Sequence, residues 1–284
     1  MITRLEKNKK IQDKIIKEEN KKRFIKISKI LGIMLSIILI TLCIGMFIGA
    51  KIVIVKEYRI EKNNIPDSFH GIKIVQFSDL LYNSFNKNDL LKLEKQINEL
   101  EPDILIYTGD IKRKDVKLSK NDINILETFF KSLNSSIKKY AVVGDLDDES
   151  FKLIMENSNF ILLNNEIDSI FFKDPTPIDI IGFDTNNLEF EKIKSEHFAI
   201  CLLHNPDELD TILEQVKCEI ALAGDTLGGE IKIFNEPVFD NHKYKKDYYQ
   251  VKDTNLYISN GIGNEINLRY FNHPSISLYR LVKY

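Results

Sequence analysis

Cysteine is scarce in this chain, with three residues in 284, Cys43, Cys201 and Cys218. That number and scatter exclude a disulfide-built scaffold and a cysteine-based zinc site. A Cys201–Cys218 bridge would need an oxidising compartment, and because both residues lie in apolar runs, buried free thiols are the expectation. An excess of positive charge is also missing. Lys and Arg number 40 against 42 Asp and Glu, a net of -2, which argues against a surface built to grip nucleic acid. With 43% hydrophobic and 29% charged residues the chain is not globally disordered and can bury a core. Neither an internal repeat nor a low-complexity linker stands out.

Charge is absent altogether from one stretch, the twenty-one residues 30–50 between Lys29 and Lys51. About 20 apolar residues span a bilayer core, so this is a predicted transmembrane helix. It is longer than the apolar region of a secretory signal, roughly 7 to 15 residues, and has no clean small-residue cleavage pattern. Residues 1–29 carry eleven Lys/Arg and four Asp/Glu, a net of +7, leaving -9 for the rest. The positive-inside rule keeps this basic segment in the cytoplasm and puts residues 56–284 outside. The expectation is a single-pass protein of the cell membrane with an extracytoplasmic C-terminal domain. Lys21-Lys22-Arg23-Phe24-Ile25-Lys26 has the outline of a twin-arginine signal with lysines in place of both arginines, but reads more simply as a basic flank. A basic amphipathic helix on anionic lipid is also compatible with it.

From residue 56 onward, short β-branched runs alternate with helical stripes, the pattern of strands joined by crossover helices. Strands are predicted at 72–78, 103–109 and 140–144, and in IDIIGF, HFAICLL, EIALAG, NLYIS and SISLYRLV. Helices are predicted at 88–100, 123–133, 148–157 and 207–216. Ligands of open α/β sheets gather beyond the carboxyl ends of strands. Here VQFSD ends in Asp79, LIYTGD in Asp110, AVVGD in Asp145, CLLH in His204 and ALAGD in Asp225. One such aspartate would be an ordinary turn residue. Five ligand-type residues after five apolar runs imply a cation, because converging carboxylates are costly to ionise unless one sits among them.

The ordered series GIKIVQFSDL, PDILIYTGD, AVVGD, LLHNPD, AGDTLGGEIK, LYISNGIG and LRYFNHPSISLYRL resembles the calcineurin-like metallophosphoesterases, in particular their membrane-anchored bacterial branch, from about Gly71 to Tyr284. The resemblance implies an α/β fold, a four-layer αββα sandwich, with two metals at the sheet edge activating a hydroxide against a phosphoester. Several motif positions depart from the family. Asp79-Leu80-Leu81 stands for Asp-x-His, Gly144-Asp145-Leu146-Asp147 for Gly-Asn-His-Asp, and Gly224-Asp225-Thr226-Leu227 for Gly-His-x-His. By this resemblance the first metal position retains Asp79 and Asp110 but has lost its histidines to Leu81 and Leu227. The second retains four residues able to coordinate, Asp110, Asp145, His204 and Asp225. Leu146 occupies the place of the catalytic histidine, so no catalytic residue is assigned. The expected cofactor is one divalent ion, Mn²⁺, Mg²⁺ or Ca²⁺ rather than zinc, since the donors are mostly hard oxygens; a two-metal centre is not expected.

The expected function is that of a membrane-anchored metallophosphoesterase-like protein impaired as a phosphodiesterase and binding a phosphorylated lipid, envelope ligand or partner. The alternative is a one-metal hydrolase of a lipid or cell-envelope phosphoester. The bilayer itself is the expected partner, with no nucleic acid; which protein partner, if any, is left open. His242, in a Tyr- and Lys-rich stretch from Phe239 to Tyr249, reads as a surface-loop histidine that could face substrate. His70, His197 and His273 lie outside the motifs.

Overall fold

The computed structural model describes residues 4–45, 49–83, 87–189, 193–233, 236–237, 241–265 and 269–284. The chain begins with α1 (Arg4–Ile44), in which the basic segment and most of the apolar run form one continuous helix. At 1.5 Å per residue it is about 60 Å long. Its apolar part is long enough to cross a membrane and none of it is buried in the protein. The end of the apolar run behaves differently. Gly45, Gly49 and Ala50 are buried, and the Gly45 carbonyl accepts a hydrogen bond from the Arg269 amide at 3.3 Å. His273 Nδ1 lies 3.3 Å from the Gly49 carbonyl, so the exit of the helix is fastened to the C-terminal domain.

Two six-stranded sheets make up that domain. The first has the order β1-β14-β2-β3-β4-β5, formed by β1 (Ile54–Glu61), β2 (Lys73–Phe77), β3 (Ile104–Tyr107), β4 (Lys138–Ala141), β5 (Ile161–Leu162) and β14 (Ser275–Val282). The second has the order β12-β13-β9-β8-β7-β6, formed by β6 (Glu166–Ile170), β7 (Ile178–Gly182), β8 (Phe198–Leu202), β9 (Ile220–Ala223), β12 (Tyr248–Val251) and β13 (Thr254–Ile258). A small hairpin, β10 (Lys232–Ile233) with β11 (Glu236–Pro237), stands apart. The expected sandwich is present. β1 was not predicted, because its IVKEYRIE alternates charged and apolar residues at the sheet margin, where only every second side chain is covered.

Side-chain alternation explains the layers. Ile74, Ile104, Ile106, Ile180, Ile200, Leu202, Ile220 and Leu222 point between the sheets into one buried cluster. The other face of the first sheet packs against α2 (Lys87–Glu99), α3 (Lys120–Ser132) and α4 (Glu149–Asn157) through residues such as Leu93, Ile97, Phe130 and Phe151. Ser119 and Asp122 cap α3 reciprocally, and Asp148 caps α4.

The fourth layer is thinner than expected. The helix predicted over 207–216 is a 3₁₀ turn at Pro206–Glu208 followed by the single turn α5 (Leu209–Ile212). Leu209, Ile212 and Val216 are all buried against the second sheet, so the apolar spacing reports a covered face without a long helix. Cys201 and Cys218 also lie there, and they form a disulfide with Cα atoms 5.9 Å apart, correcting the expectation of free thiols. The pairing arises because Cys201 sits on β8 beside β9, and Cys218 lies two residues before that neighbouring strand.

Buried polar groups join the two sheets near their carboxyl ends. Gln76 Nε2 donates to Thr108 Oγ1 and to the Ala223 carbonyl, both at 2.9 Å, while Tyr279 OH donates to Gln76 Oε1 at 2.7 Å. The parallel strands β2, β3 and β4 end in register, as do β8 and β9. Their loops therefore open on one edge.

Candidate metal centre

The structure brings together Asp79, Asp110, Asp145, His204 and Asp225, one from each of five strand ends. His204 is fully buried, and its Nδ1 lies 2.7 Å from the Thr108 carbonyl, which can only accept. The proton of the neutral ring therefore sits on Nδ1, and the Nε2 lone pair faces the carboxylates. From Nε2 it is 3.3 Å to Asp110 Oδ2, 3.7 Å to Asp145 Oδ1 and 3.9 Å to Asp225 Oδ1. Nε2 nevertheless has no hydrogen-bond partner among the described residues, and neither does the buried Asp79 Oδ2. Two orphaned buried polar atoms facing a carboxylate cluster need an explanation. Donors spaced in this way suit neighbouring ligands around one hard cation with bonds of about 2.1–2.5 Å. Ligand atoms of Asp79, Asp110 and His204, and separately of Asp145, His204 and Asp225, lie within 4.8 Å of one another. The residues fit a divalent ion.

Backbone conformation aims these side chains. Asp79, Asp110 and Asp225 have φ of 52°, 60° and 65°, and Leu81 and Leu227 have 46° and 52°. Such left-handed conformations are costly for non-glycine residues and cluster at functional sites. Hydrogen bonds hold the turns, including Leu81 N to the Asp110 carbonyl at 3.2 Å and Asp79 N to the Gly109 carbonyl at 2.9 Å. Gly144 is required by close approach, because a Cβ there would collide with Asp110 Oδ1.

Electrostatics without a cation are unfavourable. Burial pushes the Asp79 carboxyl up to about 8; His204 opposes the rise and Asp110 adds to it. Burial likewise raises Asp225 to about 6, against His204 and with Asp145. Burial alone would lower His204, but without a cation the surrounding carboxylates, Asp110 first, hold its pKa well above the ordinary value, so the Nε2 lone pair becomes free for ligation only when a cation replaces that proton.

The remaining positions are distinct. Leu81 and Leu227 are each 4% exposed, so buried apolar side chains occupy the places where the resemblance would put histidine ligands of a first metal. Leu146 donates its amide to Asp110 Oδ1 at 2.9 Å and offers its carbonyl to Lys112 Nζ at 2.7 Å, but carries no group that could move a proton.

Two contributions were not legible in the sequence. Asp147 accepts from the amides of Asp110, Gly144 and Ile111 at 2.8–2.9 Å and so clasps two ligand-bearing loops together. The second is His242, expected on a surface loop. Its Nε2 lies 3.7 Å from Asp225 Oδ2 and its Nδ1 3.4 Å from Asp207 Oδ2. No periodicity could have announced this approach from a loop; Phe239, where that Tyr- and Lys-rich stretch begins, lies outside the described residues.

No family model matches the chain. Among curated proteins it is 29% identical over 244 residues to the uncharacterized metallophosphoesterase YkuE of Bacillus subtilis (strain 168), spanning 79% of this chain and 84% of that protein. It is 27% identical over 213 residues to the uncharacterized metallophosphoesterase Cj0846 of Campylobacter jejuni, spanning 70% of this chain and 56% of that protein. A shorter match, 38% over 88 residues, covers 29% of this chain and 26% of the UDP-2,3-diacylglucosamine pyrophosphatase LpxG of Chlamydia muridarum. Among solved structures, Vacuolar Protein Sorting 29 from Cryptosporidium parvum aligns with a TM-score of 0.35 at 13% identity over 68% of this chain and 76% of that one, too loose a likeness to carry an argument. With its sandwich of mixed sheets and its ligand-type residues on one sheet edge, the chain is similar to these metallophosphoesterases and consistent with their family.

Proposed function

We propose that this protein is a membrane-anchored, diverged metallophosphoesterase that holds one divalent cation through Asp110, Asp145, His204 and Asp225, with Asp79 alongside, and binds a phosphorylated ligand with its phosphodiesterase activity impaired. The observation that carries this reading is the buried, unpartnered Nε2 of His204, with its proton committed to the Thr108 carbonyl and its lone pair turned toward three carboxylates. Oxygen donors outnumber nitrogen, which favours Mn²⁺, Mg²⁺ or Ca²⁺.

When bound, such an ion supplies Lewis-acid neutralisation of a phosphate oxygen. The protein's own groups do the rest. Asp147 and Leu146 N hold the Asp110 loop in place. Asp145, with 53% of its side chain exposed, is the ligand on the solvent side, so a phosphate approaches past it. Leu81 and Leu227 offer no donor for a second ion, and Leu146 neither gives nor takes a proton. A positioned acid or base is worth about 10²–10⁴ in rate. Impairment follows from these three leucines.

His242 supports a second reading, the one-metal hydrolase of a lipid or cell-envelope phosphoester. It places a titratable ring beside Asp225 at the solvent side, where an acid or base would serve.

The domain is assigned to the extracytoplasmic face. Its support is the +7 segment before the helix together with the Cys201–Cys218 disulfide, which belongs in an oxidising compartment.

The test uses the full chain in detergent, because the helix exit packs on the domain. Metal content and thermal stabilisation by Mn²⁺, Mg²⁺ and Ca²⁺ are measured beside Asp110→Ala, with phosphodiester and phosphomonoester turnover on the same samples. One equivalent of metal, lost in the variant, with no turnover is the expected result. Turnover abolished by both Asp110→Ala and His242→Ala would establish the second reading, and absence of metal would sink both.

A further inference from the structure

A cavity of about 730 Å³ opens where the membrane helix hands over to the domain. One wall is residues 50–53, the last residue of the apolar run and the three that follow it, and the facing wall is α2. Leu81, Leu90, Leu93 and Ile262 supply an apolar lining, all four of them buried residues. Lys51, Lys92, Lys95 and Arg113 stand around it, against the two carboxylates Asp89 and Glu99.

Arg113, one-third exposed, pairs with Asp115 at 3.7 Å, and the lysines are only loosely engaged. Lys92 and Lys95 are 77% and 75% exposed, and their carboxylate neighbours lie 4.0 Å and 3.7 Å away on the same helix. Exposed pairs of this kind contribute little and exchange readily for another anion. Lys51 is exposed and has no ion pair among the described residues. Ile52 lines the cavity while remaining half exposed, and Leu91 on α2 is equally uncovered nearby on the same helix as the lining Leu90 and Leu93.

Position argues for the source of the occupant. Asn264, which also lines the cavity, donates to the Ala50 carbonyl at 3.3 Å, and Arg269 and His273 hold Gly45 and Gly49. The cavity thus lies within a few residues of the point where an apolar helix leaves the bilayer. A lipid could enter it without crossing water.

We propose that this cavity takes one anionic phospholipid from the bilayer that the chain's own helix enters. An acyl chain lies along Leu81, Leu90, Leu93 and Ile262, and the headgroup phosphate sits among Lys51, Lys92, Lys95 and Arg113. A volume of this size falls within the range of about 300–1,000 Å³ typical of small-molecule sites, and an apolar lining with a few charged groups is their usual chemistry. Cations beside a membrane helix favour anionic over zwitterionic headgroups. The site is separate from the candidate metal centre but shares a wall with it. Leu81 lines the cavity two residues after Asp79, and the Ile262 amide donates to the Ser78 carbonyl at 3.0 Å. The leucine at the place of a first-metal histidine is thus also the cavity's floor.

The experiment is native mass spectrometry of the full chain from detergent micelles doped with dioleoylphosphatidylglycerol or dioleoylphosphatidylcholine, with metal content read on the same samples. One retained phosphatidylglycerol is expected, with phosphatidylcholine retained at least about tenfold less. The double variant Lys92→Glu/Lys95→Glu, on the exposed face of α2, is expected to bring phosphatidylglycerol down to the phosphatidylcholine level. Val53→Trp, which fills the cavity, is expected to remove both lipids while leaving the thermal transition in place. Asp110→Ala is expected to lose metal and keep lipid. Equal retention of the two lipids, or retention indifferent to both sets of substitutions, would mean an unspecific lipid annulus and overturn the proposal. Displacement of the lipid by soluble glycerol 3-phosphate would mean a headgroup-only anion site and also overturn it. Lipid retained by a chain that holds no metal would leave this site standing while the reading of the metal centre fell.

Discussion

The two halves of the strand-edge cluster keep the same backbone but opposite chemistry. At the proposed second metal position, Asp110 and Asp225 adopt φ of 60° and 65° and direct oxygens toward His204. At the first, Leu81 and Leu227 adopt 46° and 52°, yet present buried hydrocarbon. Leucine gains nothing from a left-handed conformation and costs about 1–2 kcal/mol there. The turns persist because they are held from the outside, by Tyr82 N to the Ile111 carbonyl at 2.8 Å and Gly263 N to the Asp79 carbonyl at 2.7 Å. Ligand geometry in this fold is thus a property of the loops and their hydrogen bonds. Ligand chemistry is a separate choice made at each position.

The sharpest way to break the contrast is to return the missing groups. The triple substitution Leu81→His/Leu146→His/Leu227→His puts imidazoles on turns whose backbone is already formed. Metal content is expected to rise from one to two equivalents, and phosphodiester turnover by at least about 10²-fold. An unchanged metal count by mass spectrometry would show that the leucines have reshaped the position beyond side-chain repair.

Removing the second position is expected to act almost as strongly. His204→Ala takes away the nitrogen donor and Asp110→Ala an oxygen shared by both positions, and each should weaken metal binding at least about 100-fold by calorimetric titration, beyond the 10–100-fold typical of outer-shell changes. Asp147→Asn tests the loop clasp and should fall within that 10–100-fold range while leaving every ligand present.

The disulfide secures the sheet that carries His204 and Asp225. Replacing both partners, Cys201→Ala/Cys218→Ala, releases a loop of 17 residues and should cost about 3 kcal/mol in denaturant unfolding. The first sheet, bearing Asp79 and Asp110, has no such brace among the described residues, so loss of metal affinity in this variant would trace to the second sheet alone.

The smallest effect concerns Asp247, remote from both positions. Burial works to raise its pKa, but Lys56 at 2.6 Å and Lys232 at 2.9 Å pull it below the usual carboxylate range, with Tyr58 and Tyr279 also facing it. Burial at the same spot lowers Lys56 despite the carboxylate, so that lysine loses more from desolvation than it gains from the pair. A depressed folded value means that Asp247 adds stability above its unfolded pKa, and that this is lost as pH falls through the folded one. The carboxylate is about one-third exposed, so the contribution is under about 1 kcal/mol. Unfolding followed from pH 6 down to pH 2 should show a shallower acid decline in Asp247→Asn, with metal content unchanged at pH 7.

Much of this contrast was legible in the chain itself. Each apolar run ending in Asp79, Asp110, Asp145, His204 or Asp225 became a strand with that residue just past its end, because burial on both faces leaves a near-continuous β-branched signature. The departures at Leu81, Leu146 and Leu227 were equally readable as residue types. Other features escaped for physical reasons. The alternation of β1 reflects half-coverage at a sheet margin, and the apolar spacing over 207–216 reflects a covered face that one helical turn suffices to present.

The sequence by itself determined the strands that end in the candidate site residues, the outer helices of the first sheet, the apolar span and the residue types along the sheet edge, all of which follow from local periodicity and composition. Tertiary structure alone decided which of those residues meet. It set His204 Nε2 against three carboxylates, brought His242 to Asp225, used Asp147 as a clasp and joined Cys201 to Cys218 across neighbouring strands. These contacts link positions 17 to 94 residues apart in the chain, and their distances depend on how two sheets pack, which no local pattern encodes.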